Sequence, residues 1–269
     1  MEKAKDLKIA VLIKQVPATE NVKINPETGV MMREGLDVEV NPLDLHAIEE
    51  AVRIKERFSG GPQVTVLTMG PPVAAKAVRY AISMGCDGGA VVTDRAFAGS
   101  DTLATATVLA EALRKLGPFD LILAGERATD GETGQVGPAA GALLGVPVLT
   151  YVSKLELQDG RLTAERAVES GHERFSAPMP ALAIVIKEIN VPRLCTLGGK
   201  LKAKKTEVRL ISLADLGLPV ESVGLRGSPT KVVRVRYPQV TRRGRKISAS
   251  EDFEKAVGEL EHFLAEVNG

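Results

Sequence analysis

Hydrophobic and polar positions set the rhythm of this chain, and the rhythm changes twice. In the first half, short apolar runs at 7–14 (LKIAVLIK), 63–69 (QVTVLTM), 89–94 (GAVVTD) and 119–125 (FDLILAG) alternate with segments of helical spacing. Runs that lack regular polar alternation suit strands buried on both faces, as in a parallel sheet. Between them, Ile48, Ala51, Val52 and Lys55, then Val73, Ala77, Val78 and Ala81, then Leu109, Leu113 and Leu116 recur at helical intervals. Gly85 and Gly117 stand where helices should end, and Pro118 follows the second. The pattern predicts an α/β fold: a doubly wound, mostly parallel, Rossmann-like sheet with helices on both faces and right-handed crossovers.

After VPVLTYVSKLELQ the pattern becomes antiparallel. Asp159-Gly160 is a tight-turn pair between two extended runs, the second being RLTAERAV, and predicts a hairpin appended to the sheet. PALAIVIKE reads as one more buried strand and KLKAKK at 200–205 as a basic run. From about Leu218 the chain turns polar and gains Gly and Pro. This divides it into an α/β domain over 1–217 and an extended C-terminal arm over 218–269. The arm closes in a helix with apolar residues at Phe253, Val257, Leu260 and Leu264, and Ser250 as its cap. A tail that cannot bury such a stripe alone lies on a partner.

Composition narrows the chemistry. The 35 basic and 34 acidic residues leave a formal net charge of +1, so no global field draws the protein to nucleic acid. Aromatic residues are 3% and tryptophan is absent, which leaves few stacking platforms for single strands. Cys86 and Cys195 form no CxxC pair and read as small buried hydrophobes in a reducing compartment. The apolar run near the N-terminus is too short for a signal peptide, and no run reaches the ~20 residues of a transmembrane segment. The chain reads as soluble and cytoplasmic.

His46, His172 and His262 are far apart and lack metal-ligand spacing. There is no G-x-S-x-G elbow, and LGGKLK lacks the upstream glycine of a Walker A loop. The first strand leads into KQVPATE rather than G-x-G-x-x-G, and SGG at 59–61 reads as a turn. What remains is three glycine- and hydroxyl-rich links at the carboxyl ends of the strands: TMGPP, DRAFAGSDT and GERATDGETGQVGP. Glycines let backbone N–H groups approach a phosphate, hydroxyls donate to it, and the following helix adds its positive end. Three such links at one crevice indicate a nucleotide ligand.

These residues resemble the beta subunit of electron transfer flavoprotein. The likeness runs through IKQVP, VNPLDLHAIEEAVRIKE, TMGPP, AISMGCDGG, the link after the fourth strand, ERAVESGHERFSAPMPALAIV and PRLCTLGGKLKAKK. It implies a heterodimer with an alpha subunit, an adenine-nucleotide site on the sheet, and an arm that embraces alpha. DRAFAGSDTLATATVLAEAL, and Asp130-Gly131 followed by Gln135-Val136-Gly137-Pro138, resemble the electron-bifurcating type, in which the beta site holds a second FAD. FAD runs on through a pyrophosphate to its ring system, so the loop must leave it an exit.

By position, the resemblance implies that Leu12, Asn41, Thr68 and Met69 border the adenosine, with Gly70 also among the cofactor-binding residues. Gly125, Asp130, Thr133, Gln135 and Val136 surround ribose and phosphates, with Gly131 and Gly134 keeping space open. Asp94, Arg95, Phe97, Asp101, Thr102 and Thr105 face the rest of the dinucleotide, where Arg95 tunes the flavin; the alternative for Arg95 is a surface salt bridge to Asp94 or Asp101. The implied donor is NADH, and the implied acceptors are a dehydrogenase or quinone reductase, by way of the alpha FAD, and ferredoxin or flavodoxin. Two other readings stay open. One is a conventional carrier with structural AMP in this site, and the other is a stand-alone adenosine- or ATP-binding module. The sequence departs from its relatives at Ala18, at Glu132-Thr133-Gly134 and at Cys195.

Overall fold

The expected apolar runs form the middle of one sheet. The computed structural model describes residues 6–18, 37–58, 61–233, 248–250 and 252–268. By internal contacts the chain divides into two units, 1–233 and 234–269.

The first unit opens with β1 (Lys8–Leu12), followed by a short antiparallel pair, β2 (Gln15–Pro17) and β3 (Val38–Val40). α1 (Pro42–Arg57), β4 (Gln63–Met69), α2 (Ala75–Met84), β5 (Gly88–Val92), α3 (Thr102–Leu116), β6 (Leu121–Gly125) and α4 (Val136–Leu144) complete the alternating half. Then come β7 (Val148–Gln158), β8 (Arg161–Val168), β9 (Gly171–Pro178) and β10 (Ala181–Val185). α5 (Leu197–Lys205), β11 (Val208–Ile211), α6 (Leu213–Leu216) and α7 (Gly224–Gly227) finish the unit.

The main sheet has nine strands in the order β11-β5-β4-β1-β6-β10-β7-β8-β9. It is parallel from β11 to β7, while β8 and β9 are antiparallel. α1 and α2 bury Ile48, Val52, Val78 and Ile82 against one face of the sheet. α3 buries Val108, Leu109 and Leu113 against the other, where Val136 and Leu144 of α4 also pack. This is the expected doubly wound α/β/α arrangement.

Four details differ from the sequence reading. The appended hairpin is a three-stranded ribbon, because β9 adds to β8 even though most of its residues are exposed. The basic run 200–205 lies in α5, whose Ala203 is buried beside α2. Val73 belongs to a 3₁₀ turn, Pro72–Ala74, rather than to α2, because consecutive prolines delay the helix. Gly85 ends α2 at a φ of 137°, as a C-cap glycine should, whereas Gly117 ends α3 in extended backbone.

In the second unit, α8 (Phe253–Asn268) carries the expected stripe, with Phe253, Val257, Leu260 and Leu264 exposed. Asp252, rather than Ser250, caps it: its carboxylate accepts from the Lys255 N–H at 3.1 Å, while the Ser250 hydroxyl meets Ser248.

Candidate functional site

The chain leaves β1 through α1 on one face of the sheet and leaves β6 through α4 on the other. Such a divergence between neighbouring parallel strands opens a crevice at their carboxyl ends, where ligands of α/β sheets bind. The floor of this crevice is the start of α1. Asn41, the N-cap residue, is fully buried. Its N–H donates to the Lys14 carbonyl at 2.8 Å, its side-chain amide donates to the Arg127 carbonyl at 2.9 Å, and its side-chain oxygen accepts from the Thr129 N–H at 3.1 Å. One residue therefore joins the segment after β1, through its backbone, to the link after β6, through its side chain.

Asp44, one turn on, is also buried, and its carboxylate accepts from the Lys14 N–H at 2.7 Å and from the Gly125 N–H. Burial raises its pKa to about 7, against the lowering effects of Asn41, Lys14 and Gly125. The approach is so close that a Cβ on Gly125 would collide with the Asp44 carboxylate and the Leu43–Asp44 backbone, so glycine is required there. Above this floor, Lys14 Nζ binds the nearly buried Asp130 carboxylate at 2.6 Å. Nothing in the sequence pattern singles out Lys14 and Asp44 as site residues. An acidic residue in the first turn after Asn41-Pro42 is a legible helix signal, but its burial depends on the topology.

Two of the helix N-termini at this edge, those of α3 and α4, differ in charge. At α3, Asp101 Oδ1 accepts from the N–H groups of Leu103 and Ala104, both at 3.0 Å, so that end already holds an anion. At α4, no side chain caps the helix and no acidic residue lies in the first turn. A phosphate is therefore favoured at α4 and disfavoured at α3. Gln135 precedes α4, and its side-chain oxygen accepts from the Thr102 hydroxyl at 3.2 Å, which joins the link after β6 to α3.

The remaining expected residues fall into two groups. Leu12, Thr68 and Met69 end β1 and β4, and the Gly70 N–H is bound to the Val92 carbonyl. Thr105 is half-buried on α3, Val136 packs partly into the core, and Thr133 is exposed. These share the carboxyl edge with Gly125 and Asp130. Other expected residues are engaged by protein. Phe97 is buried in the core on the α3 face. Asp94 accepts from the N–H groups of Ala96 at 3.0 Å and Leu213 at 3.1 Å; these bonds, the Ala96 one foremost, hold its carboxyl below the usual range. Arg95 is exposed and makes no ion pair among the described residues, so neither salt bridge considered for it forms.

Two observations test whether a nucleotide suits this edge. Thr68 is wholly buried, yet its hydroxyl has no hydrogen-bond partner, and such a group calls for a ligand or water. A Cβ on Gly131 would meet nothing within 4 Å, so the middle of the link borders open space. An uncapped helix end, an unpartnered buried hydroxyl and an open glycine turn are compatible with a phosphate-bearing nucleoside. A surface cleft of about 470 Å³ lies elsewhere, between α1 and β7, and none of the crevice residues line it.

The electron transfer flavoprotein domain model matches residues 28–216. The chain belongs to the electron transfer flavoprotein family, as a beta subunit. It is 45% identical over 239 residues to the electron transfer flavoprotein subunit beta of Thermoanaerobacterium thermosaccharolyticum, covering 88% of this chain and 91% of that one. It is 40% identical over 244 residues to the caffeyl-CoA reductase-Etf complex subunit CarD of Acetobacterium woodii, covering 91% and 93%. It is 40% identical over 236 residues to protein FixA of Bradyrhizobium diazoefficiens, covering 85% and 81%. No described helix of this beta-subunit family member is long and apolar enough to cross a membrane.

Two predictions follow from the crevice of this electron transfer flavoprotein chain. The folded-state pKa of Asp44 lies above its unfolded value of about 4, so the folded state binds more protons between about pH 4 and 7. Urea titrations should show wild type losing stability relative to Asp44→Asn across that window, by up to about 1.4 kcal/mol per pH unit, with no further loss above it. The Thr68 hydroxyl lacks a protein partner, so in nucleotide-free protein Thr68→Val should be neutral or stabilising by about 1 kcal/mol. The same change should weaken nucleotide binding measured by calorimetry.

Proposed function

We propose that this chain pairs with an electron transfer flavoprotein alpha subunit, holds FAD in the β1–β6 crevice, and works in the cytoplasm as the entry point for electrons from NADH. The heterodimer sends one electron of each pair through the alpha FAD to a high-potential dehydrogenase or quinone reductase. The other goes to ferredoxin or flavodoxin. The relative in a caffeyl-CoA reductase complex supports a partner that acts on a CoA thioester.

The bound flavin supplies acceptance of two electrons together and their release one at a time. The chain's own residues bind and orient it. Leu12, Asn41, Thr68 and Met69 border the adenosine, the Thr68 hydroxyl gaining the partner it otherwise lacks. The N-terminus of α4 and the Gly125–Gln135 link take the phosphates. The link over 94–101 and Thr105 face the remainder, where the Arg95 guanidinium stabilises negative charge. The C-terminal arm, ending in the exposed stripe of α8, contacts alpha.

The observation that carries the dinucleotide reading is Arg95, an exposed cation with no ion pair among the described residues, on the link joined through Thr102 and Gln135 to the uncapped α4. AMP ends at its phosphate and would leave this second half of the crevice without a ligand. The test is anaerobic turnover of the reconstituted heterodimer. NADH should reduce ferredoxin only while a high-potential acceptor is also being reduced. NADH left unoxidised, with electrons entering instead from an acyl-CoA dehydrogenase, would make this the conventional AMP-bearing carrier.

A further inference from the structure

The Asp101 carboxylate does two jobs with two oxygens. Oδ1 caps α3. Oδ2 takes no part in the cap and accepts from the Thr230 N–H at 3.0 Å and the Thr230 hydroxyl at 2.7 Å, from a segment 129 residues away in sequence. The Asp101 N–H donates to the Ser228 hydroxyl at 2.8 Å, and that hydroxyl donates to the Gly224 carbonyl at 2.6 Å. The Gly224 N–H in turn donates to the Ser100 hydroxyl at 3.1 Å.

Packing follows the same path. Gly224 adopts a φ of 60°, and a Cβ there would collide with the Ala96 carbonyl. Leu225 fills the space that a side chain on Gly99 would need. At the other end of the link, Asp94 holds the Leu213 N–H. Residues 94–101 are thus tied at both ends to two later stretches of chain. Of the side chains on the link expected to face the cofactor, Asp94, Phe97 and Asp101 are engaged by protein, and Arg95 remains exposed. An N-cap needs only one acceptor oxygen. The second, committed to a distant threonine through charge-assisted bonds, is what a cap alone does not explain. Burial pushes the Asp101 carboxyl up, but the bonds from Ala104, Thr230 and Leu103 outweigh it and hold the group below the usual range, so it is ionised at neutral pH.

We propose that Asp101 is a positioning residue: by latching Thr230 with the oxygen not used for capping, it fixes the 94–101 link and holds Arg95 at the crevice. The proposal rests on the dinucleotide reading given above. Its consequence is that the segment 224–230, which immediately precedes the second unit, sets the environment of the cofactor. Two variants separate the latch from the cap. Thr230→Val removes the hydroxyl and leaves the cap untouched. Asp101→Asn keeps an acceptor for the cap and turns an amide donor toward Thr230, where it faces the Thr230 N–H and leaves the hydroxyl only as an acceptor.

Both variants, made in the full heterodimer, are read in two ways. Hydrogen exchange on cofactor-free protein tests the latch by itself: amides of 96–101 and 224–230 should exchange about tenfold faster in both variants, with those of α3 from 105 onward unchanged. FAD titration and reductive potentiometry test the positioning. Affinity should fall about tenfold and the flavin potential should move negative, with the double variant no worse than either single one. Unchanged exchange at 96–101 overturns the latch. Faster exchange with unchanged affinity and potential overturns the positioning role and leaves a structural tie. A wild-type heterodimer that binds AMP and refuses FAD overturns the dinucleotide reading on which the positioning rests, whatever exchange shows.

Discussion

Asp44 lies beneath the point where β1 and β6 part, buried, with its carboxylate shared between the N–H groups of Lys14 and Gly125. Neither strand can satisfy those groups by pairing alone once the chain turns away on opposite faces of the sheet, and a buried N–H left unpaired is costly. A carboxylate from the first turn of α1 closes both at once, and Asn41 beside it holds the next link in place. The cost is a carboxyl group so desolvated that its pKa rises to about 7. The shape of the crevice, the need for glycine at 125 and the path of the link that follows all depend on this contact.

From that floor the edge divides its charges. The N-terminus of α3 is closed by Asp101 and the N-terminus of α4 is left open, so an anion is directed to one side. Lys14 is neutralised by Asp130, while Arg95 has no ion pair among the described residues. In strand order the edge carries the exposed Arg95 after β5, the buried Thr68 hydroxyl at the end of β4, Asn41 beyond β1, and the uncapped α4 after β6. A cation without an ion pair among the described residues, in addition to an uncapped helix end, offers more than one phosphate needs, which is why the proposed occupant is a dinucleotide rather than a mononucleotide.

The parallel half of the fold was legible because strands buried on both faces leave continuous apolar runs, and the helices between them leave stripes. β9 was not legible, since it is an exposed edge strand whose residues have no core to face. β11 is four residues long, also at an edge, and α5 carries a Gly-Gly pair and lysines without an amphipathic pattern. At the site, glycines and hydroxyls marked the links, because backbone geometry constrains them locally. The protein partners of Asp94, Phe97 and Asp101 were not legible from sequence for one shared reason: the groups they meet, at Leu213, the α3-face core and Thr230, are brought there by tertiary packing. Asp44 escaped notice on the same ground.

Occupancy of the β1–β6 crevice by a flavin dinucleotide is open to direct measurement. The direct measurement is to purify the complex of this chain with its alpha subunit, denature it, and quantify released FAD and AMP per heterodimer. The expected release is two FAD and no AMP. One FAD and one AMP would contradict it.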